Sequence, residues 1–453
     1  MNDLHGAHEA IDALAEYVAY IGYAPLYDLV SGGGLFVTDW RRARSVLATL
    51  PEEPRRAVAL LACDQPVARE SCSGELRTLV DMLVAARLAE DAGGSVRLND
   101  LVVVPVLQGH LLTGTPPTWR ARNTRTGRAY LGEDSLRLAR TLPNCKGKRV
   151  LDVGTGCGIQ GLLATPGAGA RVLTDLEERS VELARLNARL NRIAEVEVRA
   201  GNGYEPVRGE RYDLIVSLPP YVPALGPHDD TVYAGGQDGM RMLRELIRSA
   251  GDHLSPGGEL IAFAQLLCND NETLIAAELA DLAGHGVTTD LVAGDWHPLH
   301  PFATELAGRL AASAGADVGP LCAALLESLR GIGATGVCTA IVRVRKESPA
   351  QPDRPSWGRM LARRRPTDIP QPVPDLCFGE DRSLRAVSSP RAGVHVLRGP
   401  VAALLAACDG HRDIATAAET AWGHPTGAAD ADLLDEALAR IDELEGLGLL
   451  TLR

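Results

Sequence analysis

Apolar positions in the first 128 residues recur at helical spacing. Leu76, Leu79, Val80 and Leu83 stand at i, i+3, i+4 and i+7, the stripe of an amphipathic helix. Gly93-Gly94 predicts a turn between that helix and two short strand-like runs, near 95–98 and 101–106. From about 129 to 346 the pattern changes. Apolar runs at 149–153, 170–175, 212–217, 258–264 and 337–345 alternate with helical patterns such as 179–192. Such alternation predicts a parallel sheet with helices on both faces. A further helical stretch, about 303–330, precedes the last run. Residues 347–375 are rich in proline and hold Arg354, Arg359, Arg363, Arg364 and Arg365 with no acid among them, the composition of a linker. In 376–453, Leu434, Leu438, Ile441 and Leu444 mark a last long helix, with Gly446 as its C-cap.

The pattern divides the chain into a helical domain (1–128), an α/β domain (129–346), a Pro/Arg-rich linker (347–375) and a small C-terminal domain (376–453). Helices followed by a glycine-tipped hairpin suggest a winged-helix-like module at the N-terminus, and the C-terminal domain shares that plan. Such modules bind DNA, dimerise or dock substrates. The linker reads as a solvated tether, or as a segment docking onto an acidic partner or nucleic acid.

Net charge is −12, which argues against nucleic-acid binding over the whole surface. The nine cysteines include no C-x-x-C pair, so reduced thiols are expected. No histidine or cysteine spacing predicts a metal site. No signal peptide and no apolar run of about 20 residues is read, so a cytoplasmic protein without membrane association is expected. A homodimer is compatible with this picture.

The candidate chemistry centres on Asp152-Val153-Gly154-Thr155-Gly156-Cys157-Gly158, a strand end running into glycines and then a helix. Glycines let the backbone approach a ligand closely. A dinucleotide site would use the same physics. Asp152, however, would repel a pyrophosphate and attract a sulfonium and its ammonium group. Asp175, ending the next strand, can accept from both ribose hydroxyls. Each acid also has a purely structural reading, as a helix cap or a turn residue.

Residues 148–264 resemble class I S-adenosylmethionine-dependent methyltransferases, and within them the release-factor glutamine methyltransferases and related N-methyltransferases. The resemblance rests on Leu151 through Ile159, Thr174-Asp175, Val216-Ser217-Leu218-Pro219-Pro220-Tyr221 and Gly235-Gly236-Gln237-Asp238-Gly239. It implies a Rossmann-like seven-stranded sheet and S-adenosylmethionine as cofactor. It places Asp152, Gly154 and Gly156 at the methionine end, Asp175 at the ribose, Asn202 at the adenine amine, and Ser217 with the cofactor group. Where the family carries Asn-Pro-Pro-Tyr, this chain has Leu218-Pro219-Pro220-Tyr221. Leucine cannot accept the hydrogen bonds that orient a target nitrogen. The acceptor is then held otherwise, or is not a planar amide or amine.

Tyr130, Leu218, Pro219, Pro220, Tyr221 and His228 are the candidate substrate residues. Tyr221, Asp238 and Asp134 are the candidate catalytic ones, with Glu133 also weighed. His297 and His300 could line the pocket. The C-terminal segment from Leu397 to Asp413 is similar to domains that hold leader peptides for peptide-modifying enzymes, and a strand near 393–397 could pair with an extended peptide. The leading expectation is methyl transfer to nitrogen or oxygen of a small molecule or peptide, as in natural-product biosynthesis. The alternatives are a protein or nucleic-acid acceptor, a non-catalytic cofactor-sensing regulator, and a nicotinamide-dependent oxidoreductase.

Overall fold

The computed structural model describes residues 2–116, 129, 131–223, 235–269, 273–283, 286–314 and 317–347, and in the C-terminal part 370–372, 377–378, 384–389, 393–398, 404–405, 407–408, 416–417 and 450–452. The chain forms two compact units, Met1–Asp353 and Arg354–Arg453.

The first unit opens with helices α1 (Asn2–Tyr20), α2 (Tyr23–Ser31), α3 (Trp40–Thr49) and α4 (Glu52–Cys63), then strand β1 (Val67–Ala68), helix α5 (Gly74–Ala85), and strands β2 (Ala89–Ala92) and β3 (Ser95–Leu98). Leu76, Leu79, Val80 and Leu83 are all buried on the inner face of α5. The glycine-tipped hairpin joins β2 to β3, in a three-stranded antiparallel sheet of order β1-β3-β2. Gly93 and Gly94 have φ of 65° and 85°, the two positive values a tight hairpin turn needs. This corrects the expected turn: the glycines stand between two strands, β2 and β3, not between α5 and the first strand, and 101–106 belongs to neither. It is β4 (Leu101–Val106), which folds back on β5 (Gly109–Gly114) as a separate hairpin.

The second half of the unit holds α6 (Glu133–Thr141), β6 (Arg149–Val153), β7 (Ala170–Asp175), α7 (Glu178–Leu190), β8 (Val196–Ala200), β9 (Tyr212–Ser217), α8 (Arg241–His253), β10 (Leu254–Cys268), α9 (Leu279–Ala283), β11 (Val287–Pro298), α10 (Leu299–Ala314), α11 (Val318–Gly331) and β12 (Gly336–Lys346). The sheet has seven strands in the order β8-β7-β6-β9-β10-β12-β11. The five strands β6–β10 pair in parallel. β12 runs antiparallel to both its neighbours, so the sheet is mixed rather than wholly parallel as expected. Strand order reverses between β6 and β9, and a doubly wound sheet binds ligands in the crevice at that switch, beyond the carboxyl ends of the strands.

The expected boundary at 128/129 is not a gap in packing. One hydrophobic cluster runs from Ile11, Tyr23 and Leu79 through Leu112 to Cys157, Ile159, Leu183 and Leu190. α1 packs on both α5 and α7. The N-terminal half therefore covers the back of the glycine loop. No described helix is long and apolar enough to cross a membrane.

In the second unit, β13 (Pro370–Pro372) pairs with β17 (Leu450–Leu452), so the far end of the expected linker is strand. β14 (Cys377–Phe378), β15 (Leu384–Ser389) and β16 (Gly393–Arg398) form an antiparallel sheet in that order. The expected last helix around Leu434–Leu444, its cap Gly446 and the arginines 354–365 lie outside the described residues.

Candidate active site

The glycine loop leaves β6 at Val153 and carries three left-handed residues, Gly154, Gly156 and Gly158, at φ of 70°, 56° and 87°. A side chain at Gly158 would meet Leu162 Cδ1 at 2.6 Å. The helix after the loop is only one π-turn, Ile159–Leu163, shorter than expected. The loop amides are engaged within the protein. Gly154 and Thr155 N–H both donate to the Thr174 carbonyl (2.8 and 2.9 Å), Gly158 N–H to Thr155 (2.8 Å), and Gly156 N–H to Asp175 Oδ2 (2.8 Å). A pyrophosphate cradle needs such donors free. Beside two acids, this loop fits a cationic nucleoside and not a dinucleotide, and S-adenosylmethionine meets that description.

Asp152 is 1% exposed. Its Oδ2 accepts from Thr155 Oγ1 (2.6 Å) and Gly161 N–H (2.9 Å), so it ties the loop to the π-turn from beneath. Burial lifts its carboxyl to about 6, although the two donors oppose the rise. A folded-state value above the unfolded one costs stability as pH climbs through that interval. Asp152→Asn can keep both donors, because they share one oxygen, and removes the buried charge. Relative to the wild type, the variant's unfolding free energy should rise by about 3 kcal/mol between pH 3 and pH 7 in urea titrations. A constant difference would mean that Asp152 does not titrate there. Cofactor affinity should fall in the same variant, since the charge that attracts a sulfonium is gone.

Asp175 ends β7. Besides Gly156 N–H, it accepts Glu177 N–H on Oδ1 (2.9 Å), and burial raises its carboxyl above the ordinary value. The next residue, Leu176, is 62% exposed. Asn202 is exposed in the loop after β8 and lines a cleft of about 350 Å³ with Gly203, Tyr204, Met242 and His253. Met242 also reaches the glycine loop, with its Cε 3.9 Å from where a Gly154 side chain would begin. Sequence reading missed Met242, because a methionine carries no chemical signal of its own. Ser217 is fully buried, and its hydroxyl donates to the Val153 carbonyl (2.8 Å), clamping β9 to β6 at the switch point. Its hydroxyl is thus used within the sheet.

On the substrate side, the loop Leu218–Pro223 leaves β9. Leu218 is half-buried and packs beside Tyr221 against the core under α6. Tyr221 donates its hydroxyl to Asp134 Oδ2 and meets Phe263 edge-on at 6.4 Å. Asp134 lies in the first turn of α6 and holds Ser135 N–H with Oδ1 (2.8 Å). Two of the three catalytic candidates, 87 residues apart, are thus joined. The Gly-Gly-Gln-Asp-Gly turn braces this loop: Gly235 N–H donates to the Val222 carbonyl (2.8 Å), and a side chain at Gly239 would meet the Tyr221 carbonyl at 2.2 Å.

The third candidate, Asp238, is corrected. Both its oxygens are forked by Arg244 (3.0 and 2.6 Å), and Oδ1 also takes Met240 N–H (3.0 Å) at the start of α8. Burial pushes its carboxyl up, but the donors outweigh burial and hold it below the usual carboxylate range. An anion so well satisfied is a poor base. Glu133 is exposed on the first turn of α6. His297 is exposed within the outermost strand β11 and His300 is exposed in the first turn of α10, both well away from β6 across the sheet, so neither stands with the glycine loop. Tyr130 and His228 lie outside the described residues.

The model of the methyltransferase small domain family matches residues 129–281. A release factor glutamine methyltransferase of Xylella fastidiosa is 38% identical over 131 residues, covering 26% of this chain and 48% of that protein. A Methanocaldococcus jannaschii protein, provisionally named a protein N5-glutamine methyltransferase, is 30% identical over 148 residues, covering 31% of this chain and 74% of that protein. A ribosomal protein uL3 glutamine methyltransferase of Bradyrhizobium diazoefficiens is 34% identical over 127 residues, covering 25% of this chain and 40% of that protein. The chain spans about half the length of the Xylella release factor relatives it matches. With this fold, this loop and these relatives, the chain belongs to the class I S-adenosylmethionine-dependent methyltransferase family, in the group that includes the glutamine methyltransferases.

Proposed function

We propose that the protein transfers the methyl group of S-adenosylmethionine to a side chain of a protein or peptide. The leading expectation was a small molecule or peptide, with a protein as alternative; the names of its relatives favour the protein acceptor over the small molecule. The cofactor, when bound, supplies a methyl group already activated on a sulfonium. The protein's work is then to hold the nucleophile close and in line, which is worth roughly 7–11 kcal/mol in well-oriented systems.

The observation that carries the reading is the Tyr221–Asp134 hydrogen bond beside Leu218. Leu218 has no acceptor for a substrate N–H. Tyr221 gives its own proton to Asp134, so toward a substrate its oxygen acts as an acceptor, strengthened by the carboxylate. A nucleophile bearing one O–H or N–H is oriented by that oxygen, and its proton has a carboxylate within one relay. A planar amide, which needs two acceptors at once, is not well served. The bound pair also weighs against a pure cofactor sensor, which needs no such relay.

A nucleic-acid acceptor is disfavoured by the charges on α5, the turn before it and the β2–β3 hairpin. Arg69 is neutralised by Asp81 and Asp91, Arg77 by Asp81, and Glu75 and Glu90 are exposed. Duplex binding rests on cations free to meet phosphates. We read this winged-helix-like half as a docking and packing element. In the C-terminal unit, β16 is an outer strand of its sheet among the described residues, the position at which an extended peptide adds.

The test is methyl transfer from labelled cofactor to peptide panels by wild type and Leu218→Asn. The wild type should label hydroxyl or amine side chains and leave glutamine amides unlabelled, and the variant should gain glutamine labelling of at least tenfold. Equal glutamine labelling by both would show that Leu218 does not select the nucleophile. Labelling of no peptide or protein, with turnover on small molecules, would overturn the protein acceptor.

A further inference from the structure

α7 begins three residues after Asp175, and its inner face is apolar except for Ser180 near its start and Asn187, which is fully buried. A buried primary amide is costly unless its donors and acceptor are used. All are. Leu112 N–H donates to Asn187 Oδ1 (2.7 Å), and Asn187 Nδ2 donates to the Leu112 carbonyl (2.8 Å) and to the Cys157 carbonyl (2.8 Å). One turn later Asn191 repeats the pattern. Its Oδ1 accepts His110 N–H (2.9 Å), and its Nδ2 donates to the His110 carbonyl (2.7 Å) and the Asn187 carbonyl (2.8 Å). The two amides pair with alternate residues of β5, as a neighbouring strand would. The spacing matches: four helical residues rise about 6 Å and two strand residues about 6.8 Å. α7 thereby closes the open edge of the β4–β5 hairpin.

Of the two, it is Asn187 that also reaches the glycine loop, at Cys157 between Gly156 and Gly158. We propose that Asn187 is a positioning residue for the cofactor loop, and that through it the N-terminal hairpin and the cofactor site form one coupled element. The inference rests on the cofactor reading above. It makes the state of the N-terminal half felt in cofactor affinity, and by linkage makes the cofactor stabilise the hairpin.

Asn191 is the internal control, because it anchors the same hairpin without a bond to the loop. Calorimetry with S-adenosylhomocysteine should show Asn187→Ala binding on the order of tenfold more weakly than wild type. Asn191→Ala should bind within about twofold of wild type, with a comparable loss of Tm. Equal affinities in the two variants overturn the inference alone. No binding by the wild type overturns the cofactor reading and the inference with it. Should Asn187→Ala not fold, hydrogen exchange of the wild type decides. S-adenosylhomocysteine should slow exchange in 109–114 more than in 95–98, and an unchanged 109–114 segment overturns the coupling.

Discussion

Asp134→Asn should lower kcat by a hundredfold or more, with S-adenosylhomocysteine affinity unchanged within about twofold. The substitution is isosteric and keeps an oxygen for Ser135 N–H, so the start of α6 is preserved. The new amide nitrogen, however, faces Tyr221 as a donor. The tyrosine hydroxyl must then accept from that amide and turn its own proton toward the substrate. The acceptor that orients the nucleophile becomes a donor, and the proton has no carboxylate to reach. Tyr221→Phe removes the same oxygen and should lose a similar factor. The double variant should be little worse than either single one, since the two groups act as one device. Single-turnover rates with saturating cofactor are the measurement. An unchanged rate in both single variants would make the pair a packing contact and sink the proposed relay.

Asp175→Ala carries the second large effect, a loss of about a hundredfold in affinity for S-adenosylhomocysteine. The carboxylate holds the glycine loop through Gly156 N–H and the start of α7 through Glu177 N–H. Each oxygen keeps a lone pair for a ribose hydroxyl, and a hydrogen bond to a charged group contributes about 1.5–3 kcal/mol. Alanine removes those acceptors and leaves the two amides without their partner. Asp175→Asn, with one acceptor oxygen, should fall between wild type and Asp175→Ala in calorimetry. Equal affinity in all three proteins would move the ribose away from β7.

The central strands were legible from their residues alone. Runs 149–153, 170–175 and 212–217 coincide with β6, β7 and β9, and the helical pattern 179–192 with α7. These strands are buried on both faces, so they read as nearly continuous apolar runs. β8 and β11 were missed, and both are sheet edges. β8 alternates buried and open positions around Glu197 and Arg199, and β11 carries Thr288, Thr289 and Asp290. An edge strand has solvent along one side, so its local pattern is too polar to announce a strand. The direction of β12 was also out of reach, since it depends on which neighbour the strand finds.

For the site, local sequence determined the glycine loop, the two acids that flank it and the departure at Leu218. Backbone dihedrals and a strand-end acid are properties of a few consecutive residues. Tertiary structure alone decided what those side chains touch. It joined Tyr221 to Asp134, withdrew Asp238 into the Arg244 fork, turned Ser217 onto Val153 and set Asn187 between hairpin and loop. Arg244 stands six residues from Asp238, but each other partner lies on a distant element, and its distance is fixed by strand order and packing, which no window of sequence contains.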